Sequence, residues 1–103
     1  MRQVRLSVTF NDQLNDLLDQ GELRFGATLI DEKKKLVYSC IRTFLASHPG
    51  TKRKDPRHGL IVYPITDTPF MVLYDFDDAE LRVHFIFHRH ADLRDLDPST
   101  AEW

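Results

Sequence analysis

The chain has 103 residues, of which 42% are apolar and 29% charged, and this composition suits one globular domain over residues 1–103. Its net charge of −2 and pI near 6.2 argue against a protein that holds nucleic acid through bulk positive charge. The single cysteine, Cys40, excludes an internal disulfide and a zinc site built from several thiolates. No segment has the apolar run of a signal peptide or of a membrane span. We therefore expect a cytoplasmic protein without a membrane partner.

The N-terminal segments predict a strand followed by a short helix. VRLSVTF alternates apolar and polar residues, which is typical of a half-buried strand. The buried face of this strand would consist of Val4, Leu6, Val8 and Phe10. The next segment, NDQLNDLLDQG, predicts a helix that begins at Asn11 or Asp12 and ends at Gly21, since Asn and Asp favour helix starts and Gly favours helix ends.

A second and longer helix is predicted over about residues 28–47. Thr28 and Asp31 have the spacing of a capping box at its start. Pro49 and Gly50 follow its end, where they prevent the helix from continuing.

Three strands are predicted in the C-terminal half, in the runs LIVYPI, FMVLYDF and LRVHFIF. The connections between them are of hairpin length, which favours an antiparallel meander. The fold class predicted is α+β with the order β-α-α-β-β-β. In this fold a helix hairpin packs on one face of a mainly antiparallel four-stranded sheet.

The segment HFIFHRHADL places three histidines near the end of the last predicted strand. Strict alternation would point one set of side chains toward the helices, namely Leu81, Val83, Phe85 and Phe87. The other set would lie on an uncovered face of the sheet, namely Arg82, His84, Ile86, His88 and His90. There the imidazoles would meet solvent or a partner, or only fill half-exposed positions.

A metal site requires ligands within about 2.1 Å of one ion. His84 and His88 are four strand residues apart, roughly 13 Å, so one ion cannot bind both. His88 and His90 could chelate an ion with Asp92 or His58, but no spacing demands it. We predict no metal and no other cofactor.

The basic segment KRKDPRH forms a second candidate site, for a target or for phosphate groups. Its candidate residues are Lys52, Arg53, Lys54, Arg57 and His58. Such residues bind phosphate groups well, although exposed charge runs are often only solvated surface. If this loop reaches the end of the last strand, the two clusters form one face.

Other chemistry is weakly indicated. Cys40 lies among apolar helix residues, where burial disfavours a thiolate nucleophile. Asp75, Asp77 and Asp78 are typical of a turn. Trp103 in the C-terminal tail could pack on the body or contact a partner.

The element order and the segment FMVLYDFDDAELRVHFIFHRHADL resemble the RelE/ParE superfamily of toxins from type II toxin-antitoxin modules. The resemblance covers essentially the whole chain in layout. Its most specific part is an aromatic run that ends in Tyr74, an acidic turn, and a strand that finishes with His88, Asp92 and Leu93 in the pattern His-x-x-x-Asp-Leu. Members of the ParE type inhibit DNA gyrase, whereas members of the RelE type cut messenger RNA on the ribosome.

The RelE-type interpretation implies an endoribonuclease. His88 and His90 would act as general acid and base, and Arg89 with the basic loop would stabilise the charged transition state. Ribonuclease members generally carry basic residues on the second strand and at the start of the third. This chain has YPITDTPF there, and the acidic pI is unusual for a protein that binds ribosomal RNA.

The ParE-type interpretation is therefore favoured, and it implies a toxin that obstructs gyrase without catalysing a reaction. A cognate antitoxin would cover the helix pair or the exposed sheet face and form a toxin-antitoxin hetero-oligomer. It would pair with cations such as Lys33, Lys34, Lys35 and Arg42. The ribosome and messenger RNA are the alternative partners, and a non-toxic small binding domain is a third interpretation.

Overall fold

The computed structural model describes residues 2–103, with the side chains of all of these except residues 22–25. Its strands are β1 (Gln3–Leu6), β2 (Ile61–Pro64), β3 (Phe70–Phe76) and β4 (Glu80–His88). Its helices are α1 (Val8–Phe25) and α2 (Ala27–Ser39), and α2 runs directly into a π-helical segment, Cys40–Leu45. The predicted α+β class and the order β-α-α-β-β-β are confirmed.

The four strands form one sheet in the order β1-β4-β3-β2. The pairs β2-β3 and β3-β4 are antiparallel, as the hairpin-length connections predict. Strand β1 pairs with β4 in parallel, and the helix pair carries the chain from β1 at one edge of the sheet toward β2 at the other. The sheet is therefore mainly antiparallel, with one parallel edge.

The prediction that the first strand extends to Phe10 is wrong, because Ser7 begins a helix. The Ser7 Oγ accepts a hydrogen bond from the Phe10 amide at 2.8 Å, and it donates one to the His84 carbonyl at 2.6 Å. The Ser7 carbonyl accepts the first helical bond, from Asn11 at 3.2 Å. A capped helix start thus replaces the alternating strand from this residue on. Val8 is exposed as a result, whereas Phe10 is buried in the core.

Replacing Ser7 with Ala should lower the free energy of unfolding by about 1–2 kcal/mol, because helix α1 loses its cap and the partly buried carbonyl of His84 loses a donor. Chemical denaturation measures the change. Ser39→Ala is the matched control, since Ser39 is exposed and its side chain caps no helix. Equal stability of the two variants would contradict this role for Ser7.

Two other helix boundaries also differ from the prediction. Helix α1 continues through Gly21 to Phe25, and a Cβ at Gly21 would meet Ile30 Cδ1 at 2.5 Å. This glycine therefore permits close packing of the two helices instead of ending the first. Helix α2 begins after Gly26, which is its N-cap residue and has no side chain, so Thr28 and Asp31 do not form the predicted capping box.

The prediction of which β4 residues face the helices is wrong beyond Val83. Tyr74 pairs with Val83 and Leu73 pairs with Phe85, so His84 is an extra residue in the strand. This β-bulge places the successive side chains of His84 and Phe85 on one face, so every later side chain of β4 points to the opposite face from the one predicted.

Ile86 consequently packs in the core under the helices, together with Val83. Phe85 and Phe87 belong to a second apolar cluster on the opposite face.

That opposite face is not open, because the C-terminal tail covers it. Leu93, Leu96 and Ala101 pack against the second cluster, whose buried members are Leu60, Met71, Leu73 and Phe85. The Glu102 carbonyl accepts a hydrogen bond from the first amide of α1, that of Val8, at 2.7 Å. Trp103 meets the His84 ring edge-to-face at 4.9 Å between centroids. Of the two roles left open for Trp103, the structure shows packing on the body.

Candidate functional site

The end of β4 presents His88, Arg89 and His90, all exposed. The rings of His88 and His90 lie 5.4 Å apart between centroids. His88 Nδ1 accepts a hydrogen bond from the His90 backbone amide at 3.2 Å. In the neutral form of His88 the proton therefore lies on Nε2, so this ring nitrogen is a donor and not a base.

Arg89 does not extend freely beside the two imidazoles. Its amide donates to the Pro69 carbonyl at 2.7 Å, and its Nη2 donates to the Ile65 carbonyl at 3.0 Å. Both bonds hold it against the turn between β2 and β3. One guanidinium is thus present at this turn, where Pro64, Asp67 and Pro69 supply no cation.

The predicted basic loop divides into exposed and engaged residues. Lys52, Arg53 and Lys54 are exposed, and Lys54 forms an antiparallel bridge with Ile61. Arg57 pairs with Asp55 at 2.8 Å, and its hydrogen bonds are the main reason that the pKa of Asp55 is lowered to about 2.

His58 differs from the other loop residues, because its side chain is only 1% exposed. Its Nδ1 accepts a hydrogen bond from the Leu60 amide. Its buried Nε2 has no hydrogen-bond partner in the described part of the chain and lies 3.8 Å from Asp55. The ring therefore helps to shape the loop from inside. It does not reach the surface where a phosphate would bind.

The loop and the strand end are neighbours on the tail-covered side of the sheet. The pKa of Asp92 is lowered mainly by its hydrogen bonds with Arg94, and the nearby charge of Arg57 lowers it further. Leu60 and Ala91 belong to the same apolar cluster. The two candidate clusters therefore lie close together. His88, however, points toward the helix side.

A cleft of about 440 Å³ opens beside His88 on the helix side. Its walls are mostly apolar and come from both helices and from the start of β3, namely Leu17, Gly21, Leu29, Ile30, Pro69 and Phe70. Lys33 and His88 provide cationic or polar groups at its edge, together with Gln20. Lys33 also donates a hydrogen bond to the Asp67 carbonyl. Sequence reasoning missed this cleft, because it depends on the angle between two helices and a strand end.

The acidic residues around the turn between β3 and β4 form a network of ion pairs, at the end of the sheet opposite His88. Arg82 bonds to Asp75, Asp77 and Glu80, each at 2.9 Å. Burial alone would raise the pKa of Asp75, but hydrogen bonds from Arg82 and His84 outweigh it and lower that pKa. The hydrogen bond from Arg82 is the main reason that the pKa of Asp77 falls to about 2. These residues are structural, as their turn position predicts.

This network predicts a loss of stability in acid. Because the pKa of Asp77 is lower in the folded state, the unfolded chain binds protons first as the pH falls. Its contribution is complete above about pH 4 and should disappear as the pH approaches 2. Denaturation at pH 6 and pH 3 should show that Asp77→Asn reduces the pH dependence more than Asp78→Asn does, because Asp77 and not Asp78 pairs with Arg82. Equal pH dependence in both variants would contradict this assignment.

Burial raises the pKa of the Cys40 thiol, which agrees with the prediction that it is not a nucleophile. Within residues 2–103, leaving aside the side chains of residues 22–25, no three side chains of His, Cys, Asp or Glu converge in a way that could hold a metal ion. No helix in the same residues is both long and apolar enough to cross a membrane.

The fold, a helix hairpin on a mixed four-stranded sheet, is also found in a solved structure. The sequence matches no protein-family model and no curated protein. Among solved structures, the chain is similar to one described as the chromosomal ParDE TA system from P. aeruginosa, with a TM-score of 0.64 and 13% identity. The match covers 85% of this chain and 96% of that one.

Proposed function

We propose that the protein is the toxin of a type II toxin-antitoxin system, of the ParE type, which acts in the cytoplasm and is neutralised by a cognate antitoxin. The observation that carries this proposal is the fold match to a chain of a ParDE system, which covers 85% of this chain and 96% of that one. The pattern His88-x-x-x-Asp92-Leu93 after β4 supports it from the sequence. Fold and motif thus point to one superfamily independently.

The cleft beside His88 is the best candidate for the antitoxin-binding site. Sequence reasoning left two surfaces open, the helix pair and the second face of the sheet. The tail already covers much of the second face, so the helix side is the more accessible apolar surface. Because Lys33 and His88 lie at the edge of the cleft, we expect an antitoxin segment with an apolar side chain flanked by acidic residues.

DNA gyrase is the target that a ParE-type toxin implies. Purified protein at micromolar concentration should inhibit supercoiling of relaxed plasmid by gyrase, and addition of the antitoxin should restore it. Lack of inhibition by folded protein would count against gyrase as the target. Continued toxicity in such a case would leave the toxin assignment in place.

A RelE-type endoribonuclease is the second candidate, and the exposed pair of His88 and His90 favours it. Two imidazoles 5.4 Å apart could provide an acid and a base for attack by a ribose 2′-hydroxyl. Full toxicity of His88→Ala and His90→Ala variants would exclude this mechanism. A non-toxic binding domain would leave growth unaffected.

A further inference from the structure

The overall acidity of the chain conceals a strongly basic segment. Seven of the 14 Lys and Arg residues, and none of the 16 Asp and Glu residues, lie in residues 33–54. These cations are Lys33, Lys34, Lys35, Arg42, Lys52, Arg53 and Lys54. The rest of the chain has more than twice as many acidic as basic residues. A net charge near zero therefore says little about this part of the surface.

Aromatic rings reach the surface in the middle of this basic segment. The Phe44 and His48 rings are stacked, with centroids 5.3 Å apart and an interplanar angle of 22°. The Tyr63 ring on strand β2 lies 5.7 Å from the Phe44 ring. Phe44 is 37% exposed, His48 is exposed and Tyr63 is half-buried. The three rings form a cluster at the edge of the sheet.

The backbone around these rings is fixed from the core. The buried Tyr74 hydroxyl donates a hydrogen bond to the Pro49 carbonyl at 2.6 Å, which anchors the chain next to His48. Lys54 bridges to Ile61 in antiparallel direction, and the backbone of Lys52 is extended. Lys52 lies two residues before Lys54, and Tyr63 lies two residues after Ile61, so both are close to this bridge in the chain.

The cations near the rings are available to a ligand. Arg57, Arg82 and Arg94 all form ion pairs with carboxylates. In contrast, no carboxylate among the side chains that the structure describes pairs with Arg42, Lys52 or Arg53 at salt-bridge distance. Arg42 lies instead over the Tyr38 ring, 5.6 Å from its centroid.

We propose that Phe44, His48 and Tyr63, together with Lys52 and Arg53, form a binding face for single-stranded nucleic acid. Exposed rings stack with unpaired bases, and adjacent Lys and Arg residues neutralise the phosphates between them. The carboxylates of an acidic peptide would pair with the cations but would not stack on the aromatic rings. The bases of a duplex are paired and stacked on one another, so their flat faces are not available to these rings.

This interaction goes beyond the proposed toxin function, because it does not involve the cleft beside His88. It is weak and sensitive to salt, since few phosphates are neutralised and the remainder of the protein is acidic. With about three phosphate contacts, affinity should fall about 15-fold to 20-fold between 50 and 200 mM salt.

Fluorescence anisotropy of a labelled 15-nucleotide oligo(U) or oligo(dT) with the full chain tests the proposal. Phe44→Leu keeps apolar bulk and removes the ring, so affinity should fall about fivefold or more, while Phe44→Tyr should retain it. Arg53→Glu should weaken binding and reduce its salt dependence. Arg94→Glu makes the same charge change at an exposed residue of the tail and is the matched control.

Three results would overturn the proposal. The first is no binding by folded protein at 50 mM salt. The second is an equal effect of Arg53→Glu and Arg94→Glu, which would indicate general electrostatics. The third is tighter binding of a labelled oligoglutamate that Phe44→Leu leaves unchanged, which would indicate an acidic protein partner. None of these results depends on toxicity, so each is separate from a failure of the proposed function.

Discussion

Replacing Ile86 with Ala is expected to lower the free energy of unfolding by about 3 kcal/mol. Ile86 is fully buried under the helices, and shortening a large buried aliphatic side chain typically costs about 2–5 kcal/mol. Simple alternation along β4 would place it among the exposed histidines, where the same change would cost less than about 0.5 kcal/mol. The variant therefore measures the effect of the bulge at His84.

Urea denaturation at neutral pH is a suitable measurement for Ile86→Ala. Leu36→Ala is the control, because Leu36 is also a large aliphatic residue but is 37% exposed. A similar, small loss in both variants would contradict the register with the bulge.

Replacing Leu29 with Glu should weaken antitoxin binding about 100-fold, which corresponds to about 2.7 kcal/mol. Leu29 lines the cleft and is 38% exposed, so the substitution places a charge in the proposed interface at little cost to the fold. Lys33→Glu should weaken binding about tenfold, because it repels the expected acidic flank of the antitoxin.

Isothermal titration with the antitoxin measures both effects. The antitoxin would be identified as the neighbouring gene product that relieves growth arrest. Arg94→Glu again serves as the control, since Arg94 lies in the tail on the opposite face. Unchanged affinity in the two cleft variants would place the antitoxin elsewhere. It would leave the toxin assignment untouched.

Local sequence patterns were sufficient for most of the architecture. The second of the three predicted C-terminal strands, FMVLYDF, coincides with β3, because a seven-residue run rich in aliphatic and aromatic residues between turn signals favours a strand. The short connections between the last three strands correctly predicted the antiparallel pairing of β2 with β3 and of β3 with β4. The predicted helix hairpin also follows from periodicity, although its boundaries do not.

The errors occur where distant residues decide a local structure. VRLSVTF has the pattern of a strand throughout, but Ser7 bonds to the carbonyl of His84, 77 residues away, and starts a helix. The bulge at His84 likewise depends on how β3 pairs, and nothing in LRVHFIF indicates it. Long-range contacts of this kind are not visible in local periodicity.

In the candidate site, too, local patterns predicted some features and long-range contacts determined the others. The exposed pair of His88 and His90 and the basic loop were found from residue type and spacing. The burial of His58 was not, because it depends on the folded loop and on the Leu60 amide. The cleft and the coverage of the second face by the tail were not predicted either, because both depend on how distant segments of the chain pack. These features decide which surface remains open to a partner.

Induction of the protein in bacteria, with growth followed and 5′ ends mapped on several abundant messages, tests the central claim most directly. The ParE-type assignment predicts growth arrest with intact messages, reversed when the antitoxin is coexpressed. Normal growth despite abundant folded protein would contradict the toxin assignment. Arrest with new cuts inside translated codons would contradict the ParE type and identify His88, Arg89 and His90 as catalytic candidates.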